Sequence, residues 1–286
     1  MYTKIIAKLF IEKKQQRRIV MDERRNIYFY HQPSQKLHNE VEKLKSLARD
    51  YEFVVCEQMK DANIIVAVGG DGTFLQAVRK SGFRQDCLYA GIATDHQTSF
   101  YCDFQLDQLN EMVNEVMNKE IEVRRYPIIK VIVDDEIPFY CLNECTVRSS
   151  IIKTFTLEVL IDDVHFETFR GDGMVISTPT GSTGYNKSTG GAVVDPLIPS
   201  FQVSELSSLN NNQYRTLGSP FILSGNRKLT LVDVEDANDF PMISMDNEAI
   251  GVSKLKKIDV TLSDKVIKTV KLKNNSFWQK VQRTFL

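Results

Sequence analysis

The spacing of hydrophobic positions along the chain changes near residue 121. Before that point, short apolar runs alternate with stretches in which apolar residues recur every three to four positions. Alternation of strand and helix is typical of a parallel sheet covered by helices. The predicted strands are 26–30, 53–56, 64–68 and 88–93, and the predicted helices are 34–50, the stretch that follows Thr73, and 106–117.

Beyond residue 121 the apolar segments are short, closely spaced and alternating. Turn pairs such as Asp134-Asp135 and Asp162-Asp163 separate them, as in antiparallel sheets. We therefore predict an α/β N-terminal domain with a Rossmann-like parallel sheet, followed by a β-rich, sandwich-like C-terminal domain. The strands predicted for the second domain are 122–125, 128–133, 138–141, 156–161, 165–170, 174–177, 228–234, 242–245, 257–262 and 267–271.

These patterns divide the chain into four segments: a basic N-terminal extension (1–25), the α/β domain (26–120), the β-rich domain (121–265) and a C-terminal tail (266–286). The extension has eight Lys and Arg residues against three acidic ones, and its apolar stretches are too short for a signal peptide. We expect residues 1–20 to be dispensable, with translation starting at Met21. The tail carries apolar residues at helical spacing and is expected to return to the N-terminal domain.

Composition narrows the class of protein. The 286 residues have a net charge of −1, which provides no general attraction to nucleic acid or to membranes. No apolar run approaches the roughly 20 residues of a membrane span. The five cysteines lack the paired spacing of a zinc site and indicate reduced thiols. We predict a cytoplasmic protein that binds neither nucleic acid nor membranes.

The sequence VGGDGT at Val68–Thr73 directly follows the predicted strand 64–68. Glycines let backbone N–H groups approach an anion, and a following helix adds its own N-terminal N–H groups. The pattern therefore indicates a phosphate site, in which the carboxylate of Asp71 suits a proton acceptor or a metal ligand. A plain Gly-Asp-Gly turn is the alternative, and the turn alone does not decide between them. It matches neither a Walker A loop nor the Rossmann fingerprint.

Three further segments place polar residues in unusual settings. Asn143-Glu144 follows one predicted strand, and Gly171-Asp172-Gly173 precedes another; each by itself indicates only a turn. The stretch 177–191, called here the hydroxyl run, is rich in Ser, Thr and Gly. A linker is the plain interpretation of such a composition, but apolar strands lead into and out of it. Hydroxyls and amides there suit a polar ligand that must be closely surrounded.

Together, these segments resemble the NAD kinase family. The resemblance rests on Gly69–Thr73, Asn143-Glu144, Gly171–Gly173, Thr178–Asn186 and Asp246, and it extends from about Asn26 to the end of the chain. Within the family, the pattern is similar to the second copy carried by some low-GC Gram-positive bacteria. Alanine is usual in the family where Gly184 stands, and histidine where Asp195 stands.

The resemblance implies an NAD kinase/diacylglycerol kinase-like fold and transfer of the γ-phosphoryl group of ATP, or of polyphosphate, to the adenosine 2′-hydroxyl of NAD. It also implies Mg²⁺ or another divalent metal supplied with ATP, no resident metal site, and assembly as a homodimer or homotetramer. Asp71 resembles the catalytic residue. The phosphate-binding residues implied are Gly69, Gly70, Gly72 and Thr73, and the NAD-binding residues are Gly72, Asn143, Glu144, Arg170, Asp172, Thr180, Thr183, Gly184, Tyr185, Ser188 and Asp246.

Two other functions stay open from the sequence. A lipid kinase of the diacylglycerol type shares the GGDGT turn, but it would need an apolar cleft and no Thr178–Asn186 run. A non-catalytic NAD(P) sensor would keep that run and lose Asp71. The presence of both Asp71 and Glu144 favours the kinase over the sensor.

Overall fold

The structure, a computed structural model, describes residues 25–286 apart from 96–98, 119, 137, 152, 213, 235–240 and 252–253. The chain divides into two compact units. The first contains the described residues up to Val123 together with Lys268–Asn275, and the second contains Arg124–Ile267 and Ser276–Leu286. The expected tail 266–286 is thus divided between the two units. Except for Arg25, the expected basic extension lies outside the described residues.

The first unit has the predicted parallel sheet. The bounds are β1 Asn26–His31, α1 Gln35–Asp50, β2 Val54–Val55, a 3-10 turn Met59–Asp61, β3 Ile64–Val68, α2 Asp71–Lys80, β4 Leu88–Ala93, β5 Phe104–Gln105 and α3 Leu109–Met117. The strands lie in the order β2-β1-β3-β4, and β5 pairs in parallel with β4. The last part of β17 (Lys257–Leu272), a strand that begins in the second unit, pairs in parallel with β4 at Thr269 and Tyr89.

The helices of this unit cover the sheet through the predicted apolar positions. Val41 and Leu44 of α1 are buried in one cluster with Val66 of β3 and Ile92 of β4. Two helix starts differ from the prediction. Helix α2 already begins at Asp71, and α3 begins only at Leu109, because the chain first forms β5 and the Leu106 amide donates to the Ala93 carbonyl (2.9 Å).

The second unit contains two sheets whose inner faces share one core, which confirms the sandwich-like prediction. Phe155 and Phe169 from one sheet are buried in the same cluster as Ile176 and Phe201 from the other. One sheet is six-stranded and antiparallel, and its strands are in order 221–224 (β13), 200–206 (β12), 173–177 (β11), 144–149 (β8), 241–245 (β15) and 248–251 (β16). In the other sheet, strands 164–171 (β10), 155–161 (β9), 228–233 (β14) and β17 follow one another, and strand 121–133 (β6) pairs with β17 and with strand 139–141 (β7).

The bounds in this part of the chain are β6 Ile121–Val133, β7 Phe139–Cys141, β8 Glu144–Ser149, β9 Phe155–Ile161, β10 Val164–Gly171, β11 Gly173–Ser177, a 3-10 turn Thr180–Thr183, α4 Tyr185–Ser188, β12 Ser200–Leu206, β13 Phe221–Ser224, β14 Lys228–Asp233, β15 Pro241–Met245, β16 Glu248–Gly251, β17 Lys257–Leu272 and α5 Phe277–Phe285. Strands β6 and β17 each join two predicted strands. Strands β8, β12, β13 and β16 lie outside the predicted strands; in β12, Gln202 and Ser204 are buried as well as Phe201 and Val203, so both of its faces are covered.

The C-terminal helix α5 begins with a capping box. The Ser276 hydroxyl accepts from the Gln279 amide, and the Gln279 side chain accepts from the Ser276 amide. Trp278 Nε1 donates to Asp195 Oδ2 (2.8 Å), and Lys187 Nζ lies 4.3 Å from the centre of the Phe285 ring. These contacts join α5 to the second unit. Among the described residues, no helix is long and apolar enough to cross a membrane.

Candidate active site

The glycine turn of the first unit connects β3 to α2. Gly69 has φ +153°, and an added Cβ there would lie 2.4 Å from Thr73 Oγ1, so packing requires glycine. Gly70 and Gly72 are exposed, and apart from its chain neighbours and the backbone of α2 itself, a Cβ at either would have no described atom within 4 Å. Their lack of side chains therefore leaves open space beside the first N–H groups of α2. Such a space suits a phosphate, which helix N-terminal amides bind well.

The Asp71 carboxylate is held by the segment Ser99–Tyr101. Oδ1 accepts from the Ser99 hydroxyl and from the Tyr101 amide (2.9 Å), and Oδ2 accepts from the Phe100 amide (2.9 Å). A carboxylate has about four acceptor positions. Among the residues that the structure describes, these bonds therefore leave one position on Oδ2, which is what a base needs to take the proton of a single hydroxyl.

A buried ion pair lies behind this segment. Lys271 Nζ donates to the carbonyls of Phe100 (3.0 Å) and Tyr101 (2.6 Å) and to Asp103 Oδ1 (3.2 Å). The Leu272 amide donates to Asp103 Oδ2 (2.8 Å). Sequence reasoning missed Ser99, Asp103 and Lys271. The one signal for Lys271 is a lysine between the apolar residues Val270 and Leu272.

In the second unit, Asp246 fixes the backbone that carries Asn143 and Glu144. It occupies the turn between β15 and β16 with φ +53°. Its Oδ1 accepts from the amides of Asn143 (2.7 Å) and Glu144 (3.3 Å), and its Oδ2 accepts from the Leu142 amide (3.1 Å). The Asp246 amide donates to the Glu144 carbonyl (2.9 Å). The contacts of Asp246 thus support the turn.

Glu144 has an oxygen that is available to a ligand. Oε2 is buried and accepts no hydrogen bond from the described residues. Burial, and secondarily the Asp246 carboxylate, raises the pKa of Glu144 to about 8. A buried acceptor without a partner is unfavourable, so the position suits a ligand that donates. A Cβ on Gly184 would lie 3.2 Å from Oε2 and 3.9 Å from Asn143 Nδ2, which places these three residues together.

Much of the hydroxyl run bonds with the protein itself. The Thr178 and Thr180 hydroxyls donate to the Leu142 carbonyl (2.6 and 3.2 Å). Ser182 Oγ donates to the Pro179 carbonyl (2.6 Å), and the buried Asn186 side chain accepts from Ser204 Oγ (2.8 Å). These side chains stabilise the protein's own backbone. This differs from the expectation that the whole run surrounds a ligand. Thr183, Tyr185 and Ser188 are more accessible.

A cavity of about 350 Å³ opens in the second unit. Asp172 and Tyr185, both predicted site residues, lie on its wall. Gly171 and Gly173 flank Asp172 at a corner between the two sheets, where a Cβ on Gly173 would lie 2.2 Å from the Val147 carbonyl oxygen. The lining is mostly polar or charged and also suits a polar ligand: Arg148, Ser149, Ile151, Lys153, Asp172, Tyr185, Leu206 and Ser207.

Arg170 makes contacts away from this cavity wall. Its Nε donates to Thr154 Oγ1 (3.2 Å), its Nη1 donates to the Tyr214 hydroxyl (2.8 Å), and its guanidinium lies 4.8 Å from the centre of the Tyr214 ring. These contacts give Arg170 a structural role. Its predicted contact with a dinucleotide stays a prediction, while the cavity wall takes its cations from Arg148 and Lys153.

Comparison with known proteins gives consistent matches along the chain. The family model of the ATP-NAD kinase N-terminal domain matches residues 3–121, and that of the C-terminal domain matches residues 142–272. NAD kinase 2 of Bacillus subtilis is 61% identical over 265 residues, which are 93% of this chain and 99% of the relative. NAD kinase 2 of Oceanobacillus iheyensis is 57% identical over 266 residues, 93% of this chain and 100% of the relative.

Solved structures share the fold. Yeast NADH kinase complexed with NADH matches with a TM-score of 0.74 at 19% identity, covering 90% of this chain and 86% of that one. An NAD kinase from Archaeoglobus fulgidus in complex with ATP matches with a TM-score of 0.71 at 22% identity, covering 90% and 98%. Because both family models match and the sequence relatives are more than half identical over nearly their whole length, the chain belongs to the NAD kinase family.

Proposed function

We propose that this enzyme transfers the γ-phosphoryl group of ATP to the adenosine 2′-hydroxyl of NAD, with Asp71 as the base. The observation that supports this role is the Asp71 carboxylate, on which the contacts of the described residues leave one acceptor position beside an open glycine turn. The 2′-oxygen forms a bond to the γ-phosphorus, the bond to the bridging oxygen of ADP breaks, and the hydroxyl proton passes to Asp71 Oδ2. A positioned base contributes about 10²–10⁴-fold to such a rate.

The glycine turn would bind the phosphates that Asp71 by itself repels. The N–H groups at Gly70 and Gly72 and the N-terminus of α2 offset phosphate charge, which is the main requirement of phosphoryl transfer. Thr73 is buried and packs on Gly69, so its side chain supports the turn.

Mg²⁺ would enter this reaction with ATP. Among the described residues, no group of three or more His, Cys, Asp or Glu side chains could hold a metal ion. Mg²⁺ does not need such a group, because it is commonly bound through one or two carboxylates together with substrate phosphates and waters. When bound, it would neutralise charge on the transferred phosphoryl group.

The second unit would hold the dinucleotide. Glu144 Oε2 is a buried acceptor suited to a ribose hydroxyl, Asn143 offers an amide beside it, and Gly184 leaves room next to both. The remaining predicted contacts, Thr183, Tyr185, Ser188 and Asp172, follow the accessible part of the hydroxyl run and the cavity wall. Asp246 acts in this proposal through the backbone of Asn143 and Glu144. NADH would also be accepted, since the 2′-hydroxyl is remote from the reduced ring.

A lipid substrate fits the cavity poorly. Arg148, Lys153 and Asp172 on its wall are charged. An acyl chain would leave such groups without partners, whereas a dinucleotide offers phosphates and hydroxyls to them.

Assembly and location belong to the same proposal. The second unit exposes large apolar side chains, including Leu197 (87%) and Val164 (69%), which a homodimer or homotetramer would cover. The five cysteines are free, as suits the cytoplasm. Light scattering of the purified chain tests the oligomer, and a monomer at micromolar concentration would contradict it.

The activity is tested with the purified full chain, ATP, Mg²⁺ and NAD, with NADP followed by an NADP-specific dehydrogenase. Diacylglycerol is added in competition, and inorganic polyphosphate replaces ATP in a parallel assay. We expect ATP-dependent formation of NADP that diacylglycerol does not reduce. Preferential phosphorylation of the lipid, or NAD binding without turnover, would contradict the proposal.

A further inference from the structure

We propose that Lys271 is a positioning residue for the Asp71 base: its buried ammonium fixes the Phe100–Tyr101 peptide group, whose amide donates to the Asp71 carboxylate, and the next peptide group, whose amide donates to the Ser99 hydroxyl oxygen. This inference rests on the proposed function, because it assigns Lys271 a part in the same proton transfer. Lys271 lies outside the glycine turn and the hydroxyl run, near the end of β17.

The connection runs through a single peptide group. Lys271 Nζ donates to the Phe100 carbonyl at 3.0 Å, and the amide of the same peptide group, Tyr101 N–H, donates to Asp71 Oδ1 at 2.9 Å. Hydrogen bonds in such a chain polarise one another, so a cation at the carbonyl makes the N–H a stronger donor. The ammonium thereby strengthens the bond that orients the Asp71 carboxylate.

A second bond fixes the orientation of this segment. Lys271 Nζ also donates to the Tyr101 carbonyl at 2.6 Å, so the ammonium holds two consecutive carbonyls. The amide of this second peptide group, Cys102 N–H, donates to Ser99 Oγ at 2.8 Å, and the Ser99 hydroxyl donates to Asp71 Oδ1. With both peptide groups held, the Tyr101 amide and the Ser99 hydroxyl stay aimed at Oδ1. Among the described residues, Oδ2 accepts only from the Phe100 amide, which leaves one position for the substrate hydroxyl.

Asp103 allows the charge to stay buried. The side chains of Lys271 and Asp103 are both 0% exposed, and Lys271 Nζ lies 3.2 Å from Asp103 Oδ1. The Leu272 amide on the same strand donates to Asp103 Oδ2. The ion pair is therefore bonded to β17, and through Lys271 it also holds the segment Ser99–Tyr101. A buried charge that loses its partner is strongly unfavourable, so each residue requires the other.

Other contacts hold Tyr101 without Lys271. The Tyr101 ring stacks on Phe74 of α2, with ring centres 4.9 Å apart and an angle of 3° between the planes. Gly91 lets the segment lie against β4, because a Cβ there would be 2.9 Å from the Tyr101 carbonyl oxygen. We therefore expect that loss of the ammonium changes the orientation of the amides toward Asp71 more than it changes the position of the segment Ser99–Tyr101.

The test compares Lys271→Met with Lys268→Met. Lys268 is a matched control on the same strand, since its Nζ donates to another backbone carbonyl, that of Gln85 (2.6 Å). We expect kcat of Lys271→Met to fall by about 10- to 100-fold, as for a misplaced catalytic group. KM for NAD should stay within about threefold, because ground-state binding is retained. Lys268→Met should keep the wild-type kcat, and Lys271→Arg should recover most of the loss.

Hydrogen exchange of the Phe100 and Tyr101 amides provides a readout that does not depend on activity. Exchange should become faster in Lys271→Met and stay unchanged in Lys268→Met. If the wild type forms no NADP, the proposed function fails, and faster exchange still supports the positioning.

Equal kcat in the two lysine variants, or unchanged exchange at both amides, would overturn the inference. If Lys271→Met does not fold, Lys271→Gln, which keeps one donor, is compared with Lys268→Gln on the same readouts, and a kcat equal to the control's overturns the inference.

Discussion

The glycine turn of the first unit and the hydroxyl run of the second differ in how many of their polar groups are left accessible. In the turn, Gly70 and Gly72 are exposed with open space beside them, and the contacts of Asp71 with the described part of the chain leave it one acceptor position. In the run, Ser182 and Asn186 are fully buried and bonded to the protein. The shorter and commoner motif thus leaves groups accessible, to which we assign phosphate binding and catalysis, while much of the more distinctive motif supports the backbone around the candidate site.

The difference has a physical origin. Serine, threonine and asparagine side chains are short, so they readily bond to nearby backbone groups. In the run they do so, and their partners, such as the Leu142 carbonyl, hold the strand end next to Asn143 and Glu144. A glycine has no side chain with which to make such bonds. At Gly72, no described atom beyond its chain neighbours and its own helix backbone lies within 4 Å of the position that a Cβ would take, so packing does not account for the glycine.

The largest expected effect is that of Asp71→Asn. The variant should lose about 10²–10⁴-fold in kcat, because the amide cannot accept the proton of the 2′-hydroxyl. Affinity for NAD should be retained, since we assign dinucleotide binding to the second unit. The rate of NADP formation and calorimetry with NAD check both parts. Turnover within a few-fold of the wild type would exclude the role of Asp71 as base.

The next effect is the pH dependence of the free energy of unfolding, in which the buried carboxyl of Glu144 should differ from exposed carboxyls. Its pKa is about 8 in the folded protein against an ordinary 4.5. The folded state thus keeps a proton that the unfolded state releases, and the stability this gives is complete below pH 4.5 and is lost as pH rises through about 8. Glu144→Gln has no such loss, so its stability relative to the wild type should rise across this range.

Urea unfolding of Glu144→Gln and the wild type at a series of pH values measures this difference without NAD. Glu167, whose pKa burial raises to about 7, is present in both proteins, so its contribution cancels. A difference that stays constant with pH would show that Glu144 ionises as an exposed carboxyl does.

Asn143→Ala and Glu144→Ala should act mainly on NAD binding. Each removes a hydrogen-bonding partner of a polar ligand, which costs about 1–3 kcal/mol when the other partner is left buried. Calorimetry at fixed pH measures the affinity, and Asn226→Ala, an exposed position outside the candidate site, is the control. Unchanged affinity in both variants would refute their assignment.

The smallest effect is expected at the C-terminal helix. Trp278→Phe removes the donor to Asp195 but keeps an aromatic ring at a half-exposed position. A single hydrogen bond of this kind contributes about 0.5–1.5 kcal/mol. Thermal unfolding should therefore shift by only a few degrees, with NADP formation unchanged. A large loss of activity would mean that α5 takes part in the site.

The sequence predicts local structure well in this protein. The strand Ile64–Val68 agrees with the prediction at both ends, because apolar periodicity and an adjacent glycine turn mark it. Strand Ser200–Leu206 lies outside the predicted strands. The burial of its polar residues Gln202 and Ser204 does not follow from their residue types. The pairing of Lys271 with Asp103, 168 residues apart, and the bonds of Ser99 to Asp71 arise from tertiary structure, which no local pattern contains.

One paired measurement tests the contrast most directly: the free energy of unfolding and kcat/KM for NAD in Gly72→Ala and Ser182→Ala, with Gly251→Ala as an open-space control. Gly72→Ala should be as stable as the wild type or more stable, because alanine favours a helix by about 0.5–1 kcal/mol, yet it should lose at least about tenfold in kcat/KM. Ser182→Ala leaves the Val194 amide without its acceptor at 2.9 Å. It should lose about 1–3 kcal/mol of stability while kcat/KM changes little. Full activity in Gly72→Ala together with a stable but inactive Ser182→Ala would contradict the account.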